Sequence, residues 1–211
     1  MTTVRSHKTT FLMLIVLLLG LGACRLDMEQ EIWMNEDNSG KALITTTVVI
    51  PKMEDMDLME EGMSTESPLD EMAVLVANTE GAELIDSNRF DNSTDEEINL
   101  KYYLEFSFDK PETLAKIILT DPEVGLQLSV KGKDRTLVLD PRAFSLQETE
   151  EYSEYLDFLD MNMNLKLHLP KKYKELSPAD DTQEKGKDLS WSYKLDSDWY
   201  AEDERPISIK Y

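Results

Sequence analysis

The side chains that most often perform acid–base, nucleophilic or metal chemistry are scarce in this sequence. It contains two histidines, His7 and His168, and a single cysteine, Cys24. A serine nucleophile needs a base within hydrogen-bond reach, and a zinc site needs three or four histidine, cysteine or carboxylate ligands. His168 falls in a segment of alternating pattern and is expected to be an ordinary strand residue. We therefore predict no catalytic residue, no metal site and no cofactor.

Carboxylates are abundant, with 43 Asp and Glu residues against 22 Lys and Arg, so two kinds of acidic site are conceivable. Asp86, Asn88 and Glu97 have the spacing of positions 1, 3 and 12 in an EF-hand loop. Phe90 and Asp91, however, occupy positions 5 and 6, and position 6 should be glycine. We therefore predict a solvated turn there. A carboxylate-dependent hydrolase stays an alternative, because the sequence does not give the separation of about 5–10 Å that two catalytic acids need.

The lone cysteine follows a segment that is typical of a secretory signal. Residues 1–10 are polar and carry Arg5 and Lys8, and residues 11–21 contain no charge. A helix of that apolar length would rise about 17 Å, well short of the ~30 Å hydrocarbon core of a bilayer. The pattern therefore favours an export signal over a permanent membrane span.

Leu21, Gly22 and Ala23 stand directly before Cys24, and this run resembles the lipobox of bacterial lipoproteins. The resemblance implies a diacylglycerol thioether on the Cys24 sulfur, cleavage before Cys24 and acylation of the new amino terminus. Two or more acyl chains anchor a protein stably, whereas one chain does so only marginally. We therefore predict a signal peptide over residues 1–23, a lipidated Cys24, and a position on the extracytoplasmic side of the cell membrane or the outer membrane.

The strong negative charge limits the partners that the chain can bind. Loss of Arg5 and Lys8 with the signal would change the formal net charge from −21 to −23. Such a surface repels phosphate backbones, which proteins bind mainly through Lys and Arg, so we predict no nucleic-acid partner. It also repels anionic lipid headgroups. The acyl chains, rather than electrostatics, must therefore hold the protein at a membrane.

Hydrophobic periodicity and turn signals predict a single α+β domain over residues 25–211. We expect a mainly antiparallel β-sheet with two or three short helices packed on it. A polar loop is expected at 177–187, and an acidic, methionine-rich, mobile segment at 52–67. Helices are expected from a Ser67 cap to about Gly81, from about Pro111 to Asp121, and within 146–160. Strands are expected at 26–33, 41–50, 83–90, 99–108, 126–130, 136–139, 164–169, 189–195 and, as an edge strand, 207–211.

Aromatic residues gather on two of the expected strands, and they are candidates for a ligand-binding surface. Such residues could line a pocket for a lipid or a sugar, but an aromatic strand face is also the usual composition of a protein core. The sequence leaves both interpretations open. The candidates are Tyr103, Phe106, Phe108, Trp191 and Tyr193.

Three stretches taken together resemble the LppM-type lipoproteins of mycobacteria. They are the hairpin that follows Cys24, the strand 103–109 that leads into a helix, and the strand 165–170, which ends in Leu-Pro before a polar loop and a tryptophan-containing strand at 189–193. The resemblance implies an α+β envelope domain that binds lipids or glycolipids, and it carries over no catalytic residue. The family often continues into a C-terminal transmembrane helix, which does not follow Tyr211 here.

The sequence therefore predicts a lipid-anchored, non-enzymatic envelope protein that binds a hydrophobic ligand, a glycolipid or an envelope partner. An apolar cavity lined by the strand aromatics would favour a ligand, whereas a solid core would favour a protein partner. A purely structural lipoprotein would show neither. A hydrolase would show two converging carboxyl groups, one of them with a raised pKa.

Overall fold

The computed structural model describes residues 25–52, 69–119, 126–131, 134–140, 160–177, 183–195 and 206–211. These residues confirm the predicted α+β class with mainly antiparallel strands. The predicted signal peptide, Cys24, residues 53–67 of the acidic segment and residues 146–159 of the third predicted helix lie outside them. The helices are α1 (Asp70–Asn78) and α2 (Pro111–Ile118), and the strands are β1 (Arg25–Met34), β2 (Gly40–Pro51), β3 (Ala82–Asp91), β4 (Glu97–Phe108), β5 (Leu126–Lys131), β6 (Asp134–Leu139), β7 (Asp160–His168), β8 (Glu175–Ser177), β9 (Gln183–Lys185), β10 (Asp188–Lys194) and β11 (Ile207–Lys210).

Seven strands form the larger sheet, in the order β3-β4-β2-β1-β7-β10-β9. The predicted hairpin of β1 and β2 is confirmed, with Arg25 opposite Val49 and Met34 opposite Gly40. The predicted pairing of β7 with β10 is also antiparallel, as expected. Among the described strands, the one parallel pairing in this sheet joins β1 to β7. The first described strand therefore lies in the middle of the sheet.

A polar turn closes the β1–β2 hairpin, as the sequence predicts. Asn38 takes the left-handed conformation with a φ of 74°, which asparagine tolerates better than most residues. The Asp37 carboxylate accepts hydrogen bonds from the backbone and the hydroxyl of Ser39, and these bonds lower the pKa of Asp37. The local chemistry of the turn thus sets the hairpin register.

Gly40 is required where β2 begins because two neighbours leave no room for a side chain. A Cβ atom at this position would overlap the backbone oxygen of Trp33 and the ring of Phe108. The backbone of β2 therefore lies directly against an aromatic side chain of β4. Close approach of this kind is a common reason for glycine in a strand.

The second sheet differs from the single sheet that the sequence suggests. It has four strands in the order β5-β6-β11-β8, and the predicted hairpin of β5 and β6 is confirmed. The prediction that residues 207–211 form an edge strand is wrong, because β11 pairs with β6 on one side and with β8 on the other. Ile207, Ile209 and Tyr211 are buried as a result.

The expected polar loop at 177–187 is also partly wrong. Ser177 is the last residue of β8 and pairs with Ser208, and residues 183–185 form β9 on the edge of β10. Gly186, with a φ of +71°, makes the tight turn between β9 and β10. All three residues of β9 are polar and exposed, so they carry no apolar alternation that could identify a strand.

The two helices are short and pack on the core through one face. Pro111 begins α2, and Leu114, Ile117 and Ile118 are buried, as predicted. In α1 the N-cap position is taken by Leu69, the predicted cap Ser67 lies outside the described residues, and Val76 is the buried residue. Neither helix in the described part of the chain is long and apolar enough to span a bilayer.

One hydrophobic cluster joins both sheets and both helices. Alternate residues of the central strands β4, β2, β1, β7 and β10 point into it, as the two-residue period of a strand requires. We call the side of the larger sheet that is buried in this cluster the inner face and the opposite side the outer face. The outer face carries mostly polar and charged residues.

Candidate functional site

The predicted aromatic residues of β4 lie on opposite faces of the larger sheet. Phe106 and Phe108 are on the inner face, where they are at most 2% exposed. Tyr103 is an odd number of residues away from both on an alternating strand, so it lies on the outer face and is only half-buried. The three residues therefore do not share one surface.

The predicted aromatic residues of β10 lie on the inner face, at a distance from those of β4. Trp191 is 2% exposed and Tyr193 is partly buried against the same core. Three strands, β2, β1 and β7, separate β4 from β10. At about 4.8 Å between neighbouring strands, the two sets are ~19 Å apart across the sheet. Phe106, Phe108 and Trp191 are thus parts of a packed core, which favours the core interpretation over a pocket.

Tyr103 occupies a small polar and aromatic group at the β3–β4 pair. Its ring stacks on Phe90 with 5.7 Å between the ring centroids, and its hydroxyl donates a hydrogen bond to the Asp86 carboxylate. That hydrogen bond is the main reason why the pKa of Tyr103 is raised. Among the described residues no group of His, Cys, Asp and Glu side chains is arranged to hold a metal.

One polar group on the outer face is centred on His168. The Nδ1 atom of His168 lies 2.9 Å from Oδ1 of Asp188, and Nε2 lies 2.7 Å from Oε1 of Glu31. The side chains of His168 and Glu31 are 24% and 23% exposed, and that of Asp188 is 42% exposed. One imidazole therefore lies between two carboxylates from β1 and β10. We call Glu31, His168 and Asp188 the histidine cluster.

Trp33, on β1, packs directly against the histidine cluster. Its indole ring stacks on His168, with ring centroids 5.0 Å apart and an angle of 6° between the planes. The ammonium of Lys41 lies 4.5 Å from the indole centroid. Lys41 and His168 are on the two strands that flank Trp33, so one comes from each side of the tryptophan.

Register explains why these residues meet. Trp33 is directly opposite His168 in the parallel β1–β7 pair, and His168 is opposite Asp188 in the antiparallel β7–β10 pair. Glu31 is two residues before Trp33 and so shares its face. The sequence gives each strand but not the parallel pairing of β1 with β7, so it could not bring these residues together.

In the described part of the chain, the geometry around His168 is not that of a nucleophile and its base. A neutral imidazole donates from one nitrogen only, whereas an imidazolium donates from both. The imidazolium form would therefore satisfy both carboxylates at once. Its ring nitrogens both face carboxylate oxygens, so neither is directed at a serine or threonine hydroxyl as a nucleophile's base would be.

Ion pairs surround the histidine cluster on the same face. Lys166 contacts Glu29 across the β1–β7 pair, and this contact is the main reason why the pKa of Lys166 is raised. Lys41 lies 2.8 Å from Glu105 across the β2–β4 pair. These cross-strand pairs match opposite charges on a sheet surface, which stabilises the pairing of the strands.

Among the described acidic side chains with altered pKa values, every shift is downward. Hydrogen bonds from Ser39 and Ser93 lower the pKa of Asp37 and Asp91. A hydrogen bond from Lys174 lowers the pKa of Asp134. A general acid at neutral pH needs a raised pKa, which is the opposite direction.

A second candidate surface is the exposed end of the larger sheet. Among the described strands, β3 pairs only with β4, and every β3 residue after Ala82 is exposed. Large apolar side chains are exposed both on this strand and on α1, which precedes it. We call β3 together with the exposed side of α1 the β3 edge. Its exposed apolar residues are Val74 (61%), Leu75 (42%), Leu84 (38%), Ile85 (52%) and Phe90 (46%).

No protein-family model matches this chain, and no curated protein matches its sequence. Among solved structures, it is similar to an M1 zinc metallopeptidase from Deinococcus radiodurans at 9% identity and a TM-score of 0.32, covering 88% of this chain and 41% of the peptidase. It is also similar to acetylcholine-binding protein type 1 from Biomphalaria glabrata at 12% identity and a TM-score of 0.21, covering 89% and 84%. TM-scores this low do not show a shared fold. The lipobox and LppM-type resemblances therefore stay predictions.

Proposed function

We propose that this chain is a lipid-anchored, non-enzymatic envelope protein that binds a protein partner. The observation that supports the proposal best is the position of β1, which begins at Arg25, the residue directly after Cys24. An acyl group on Cys24 would join the folded domain without a linker. The domain would then rest against the headgroups and could not swing away from them.

This attachment gives the domain an orientation. Arg25 is opposite Val49 at the end of β2 and Asp160 at the start of β7, so this end of the sheet would face the bilayer. Trp33 and His168 lie eight residues further along β1 and β7. At 3.3 Å per residue, they would be about 26 Å from the anchor. The histidine cluster would thus point away from the membrane.

A protein partner is favoured over a small hydrophobic ligand because of where the aromatic residues lie. Phe106, Phe108 and Trp191 fill the core and are at most 2% exposed, so they are not open to a lipid or sugar. Among the described residues, the large apolar side chains that are exposed lie on the β3 edge. Exposed apolar patches with polar surroundings often mark protein–protein contacts.

The anchor is tested by replacing Cys24 with serine in the full chain, expressed with its own leader in a bacterial host. We expect the parent protein to enter the detergent phase on Triton X-114 partition, and mass spectrometry of its amino terminus to show acylated Cys24. The Cys24→Ser protein should remain in the aqueous phase or keep its leader. Ser192→Ala, an exposed change on β10, is the matched control. Identical partition and identical amino termini for the parent and Cys24→Ser proteins would contradict the anchor.

A further inference from the structure

The β3 edge exposes backbone hydrogen-bonding groups as well as side chains. Asn92 donates its backbone N–H to the carbonyl of Asn99, so these two residues form a hydrogen-bonded pair. Bonded and non-bonded pairs alternate along an antiparallel ladder, and the register from Asp86 to Asp91 is unbroken. Ser87, Arg89 and Asp91 therefore occupy non-bonded positions opposite β4, and their backbone N–H and C=O groups point to the open side of the sheet. There the N–H of Arg89 donates to Oδ1 of its neighbour Asn88.

Apolar side chains flank one end of this backbone edge. Val74 and Leu75 lie in the second half of α1, and Leu84 and Ile85 lie near the start of β3. Only a tight turn at Gly81, with a φ of +87°, separates the two elements. Each apolar pair is within ~10 Å of that turn along its own element. A chain that paired with β3 would therefore meet apolar side chains as it passed this end.

The β3 edge also has a strong negative charge. Residues 69–91 contain six Asp and Glu residues and one basic residue, Arg89. The charges are on the elements that form the edge, and four of the acids lie between residues 80 and 91. A partner that pairs with this backbone would be held by positive side chains near Glu83 and Asp86, and repelled by negative ones.

From these three features we infer that the β3 edge binds an extended segment of an envelope protein in which basic and apolar residues alternate. The segment would add to β3 as an eighth strand of the larger sheet, which is the common mode of strand addition to an open sheet edge. Main-chain hydrogen bonds supply the binding energy, and contacts of the alternating side chains supply the preference for a basic and apolar segment. The inference rests on the proposed function in one respect only, that the partner is an envelope protein.

A second copy of this chain fits the β3 edge less well. Two copies that met edge to edge would bring two negatively charged segments together, and like charges directly opposite each other destabilise strand pairing. An anionic lipid surface is repelled for the same reason. A basic segment is the occupant for which charge and hydrogen bonding agree.

Ser87 offers a variant that tests strand addition without disturbing β4. Proline at an outward-facing position of an edge strand removes an N–H donor that the sheet itself does not use. Ser87→Pro should therefore leave the fold intact while removing one bond to an added strand. Ser87→Ala keeps the N–H and is its matched control. Ile85→Lys is a second variant, because Ile85 is 52% exposed and the new charge would repel a basic segment.

The probe is a fluorescein-labelled eight-residue peptide of alternating lysine and valine, with a glutamate–valine peptide as the charge control. Binding to the full-length chain in neutral detergent micelles is measured by fluorescence anisotropy at 0.15 M salt. We expect the lysine peptide to bind and the glutamate peptide not to bind. Ser87→Pro should weaken binding about fivefold, the effect of one net hydrogen bond, and Ile85→Lys should weaken it further. Ser87→Ala should bind as the parent does.

Three results would overturn the inference. The first is equal binding of the lysine peptide to the parent, Ser87→Pro and Ile85→Lys proteins, which would show attraction by overall charge alone. The second is equal binding of the two peptides. The third is a concentration-dependent dimer of the parent that Ser87→Pro abolishes, which would assign the edge to a second copy. The peptide assay does not depend on acylation, so its failure is distinguishable from a failure of the Cys24→Ser test.

Discussion

Replacing His168 with alanine should lower the free energy of unfolding by about 2 kcal/mol. A hydrogen bond to a charged group contributes ~1.5–3 kcal/mol when buried, but exposure reduces such contacts. Glu31 is 23% exposed and Asp188 is 42% exposed, so we assign about 1 kcal/mol to the first contact and ~0.5 kcal/mol to the second. Loss of the stacking on Trp33 adds ~0.5 kcal/mol or more.

The assay is reversible thermal and urea denaturation of the full-length chain in detergent, followed by circular dichroism. A loss of about 2 kcal/mol should lower Tm by ~4–8 °C for a domain of this size. His168→Phe keeps a ring to stack on Trp33 but cannot bind the two carboxylates, so it should recover only the stacking contribution. Lys172→Ala, an exposed position after β7, is the control and should change stability by less than ~0.5 kcal/mol.

A double-mutant cycle separates the carboxylate contact from general damage. Glu31→Gln alone and His168→Ala alone should each destabilise the protein, and the double variant should lose less than their sum. The reasoning is refuted if His168→Ala unfolds within ~0.5 kcal/mol of the parent, or if the two changes are additive. Either result would mean that the histidine cluster does not connect β1, β7 and β10 energetically.

Three further predictions concern the core and the turns. Gly40→Ala should lower the free energy of unfolding by about 3 kcal/mol because the new atom meets backbone. Gly186→Ala has open space around it and should lower it by only ~1 kcal/mol, the cost of a positive φ. Urea denaturation of the two variants compares these values. Phe106→Ala should cost ~3–5 kcal/mol, and Tyr103→Ala, on the opposite face, clearly less; similar Tm values would contradict the assignment of the faces. The Tyr211 hydroxyl is buried with no hydrogen-bond partner in the described part of the chain, and burial raises the pKa of Tyr211. Because the phenol of the unfolded chain ionises first, the free energy of unfolding keeps its full value below about pH 10 and falls as the pH rises further. Tyr211→Phe should stabilise the protein by ~1 kcal/mol at pH 7 and should reduce the loss of stability at alkaline pH. Equal dependence of the free energy of unfolding on pH in the parent and the variant would contradict this.

The sequence predicts well those elements whose own pattern decides their structure. The β1–β2 hairpin follows from alternation on both sides of a turn that ends in Ser39 and Gly40, and α2 follows from Pro111 and its apolar face. The strands β4, β7 and β10 follow from clean alternation. In each case neighbouring residues carry the information, so no knowledge of distant partners is needed.

Features that depend on distant pairing could not be predicted. Residues 207–210 are apolar on alternate positions whether they form an edge or lie between β6 and β8, so their central position has no local signal. The polar strand β9 exists because β10 offers it an edge. The histidine cluster needs the parallel register of β1 and β7, which is set by the whole core.

The exposure of the β3 edge likewise has no sequence signal of its own. Leu84, Ile85 and Phe90 would be read as core residues from their type, and only the strand order shows that they are on the outermost strand. The placement of the candidate aromatic residues on opposite faces could, by contrast, be predicted, because Tyr103 and Phe106 are three residues apart in the sequence. Once β4 is assigned as a strand, the two-residue period alone places them on opposite faces.

The central position of β1 affects how the molecule can reach its folded state. Arg25 pairs with Asp160 and Trp33 with His168. The strand β1 therefore cannot complete its pairing until β7, about 135 residues further along the chain, is available. Contacts of such long range slow folding, because the intervening loop must close before they form. A chain made from its amino terminus onward therefore has its middle strand open along one side until residues 160–168 are available.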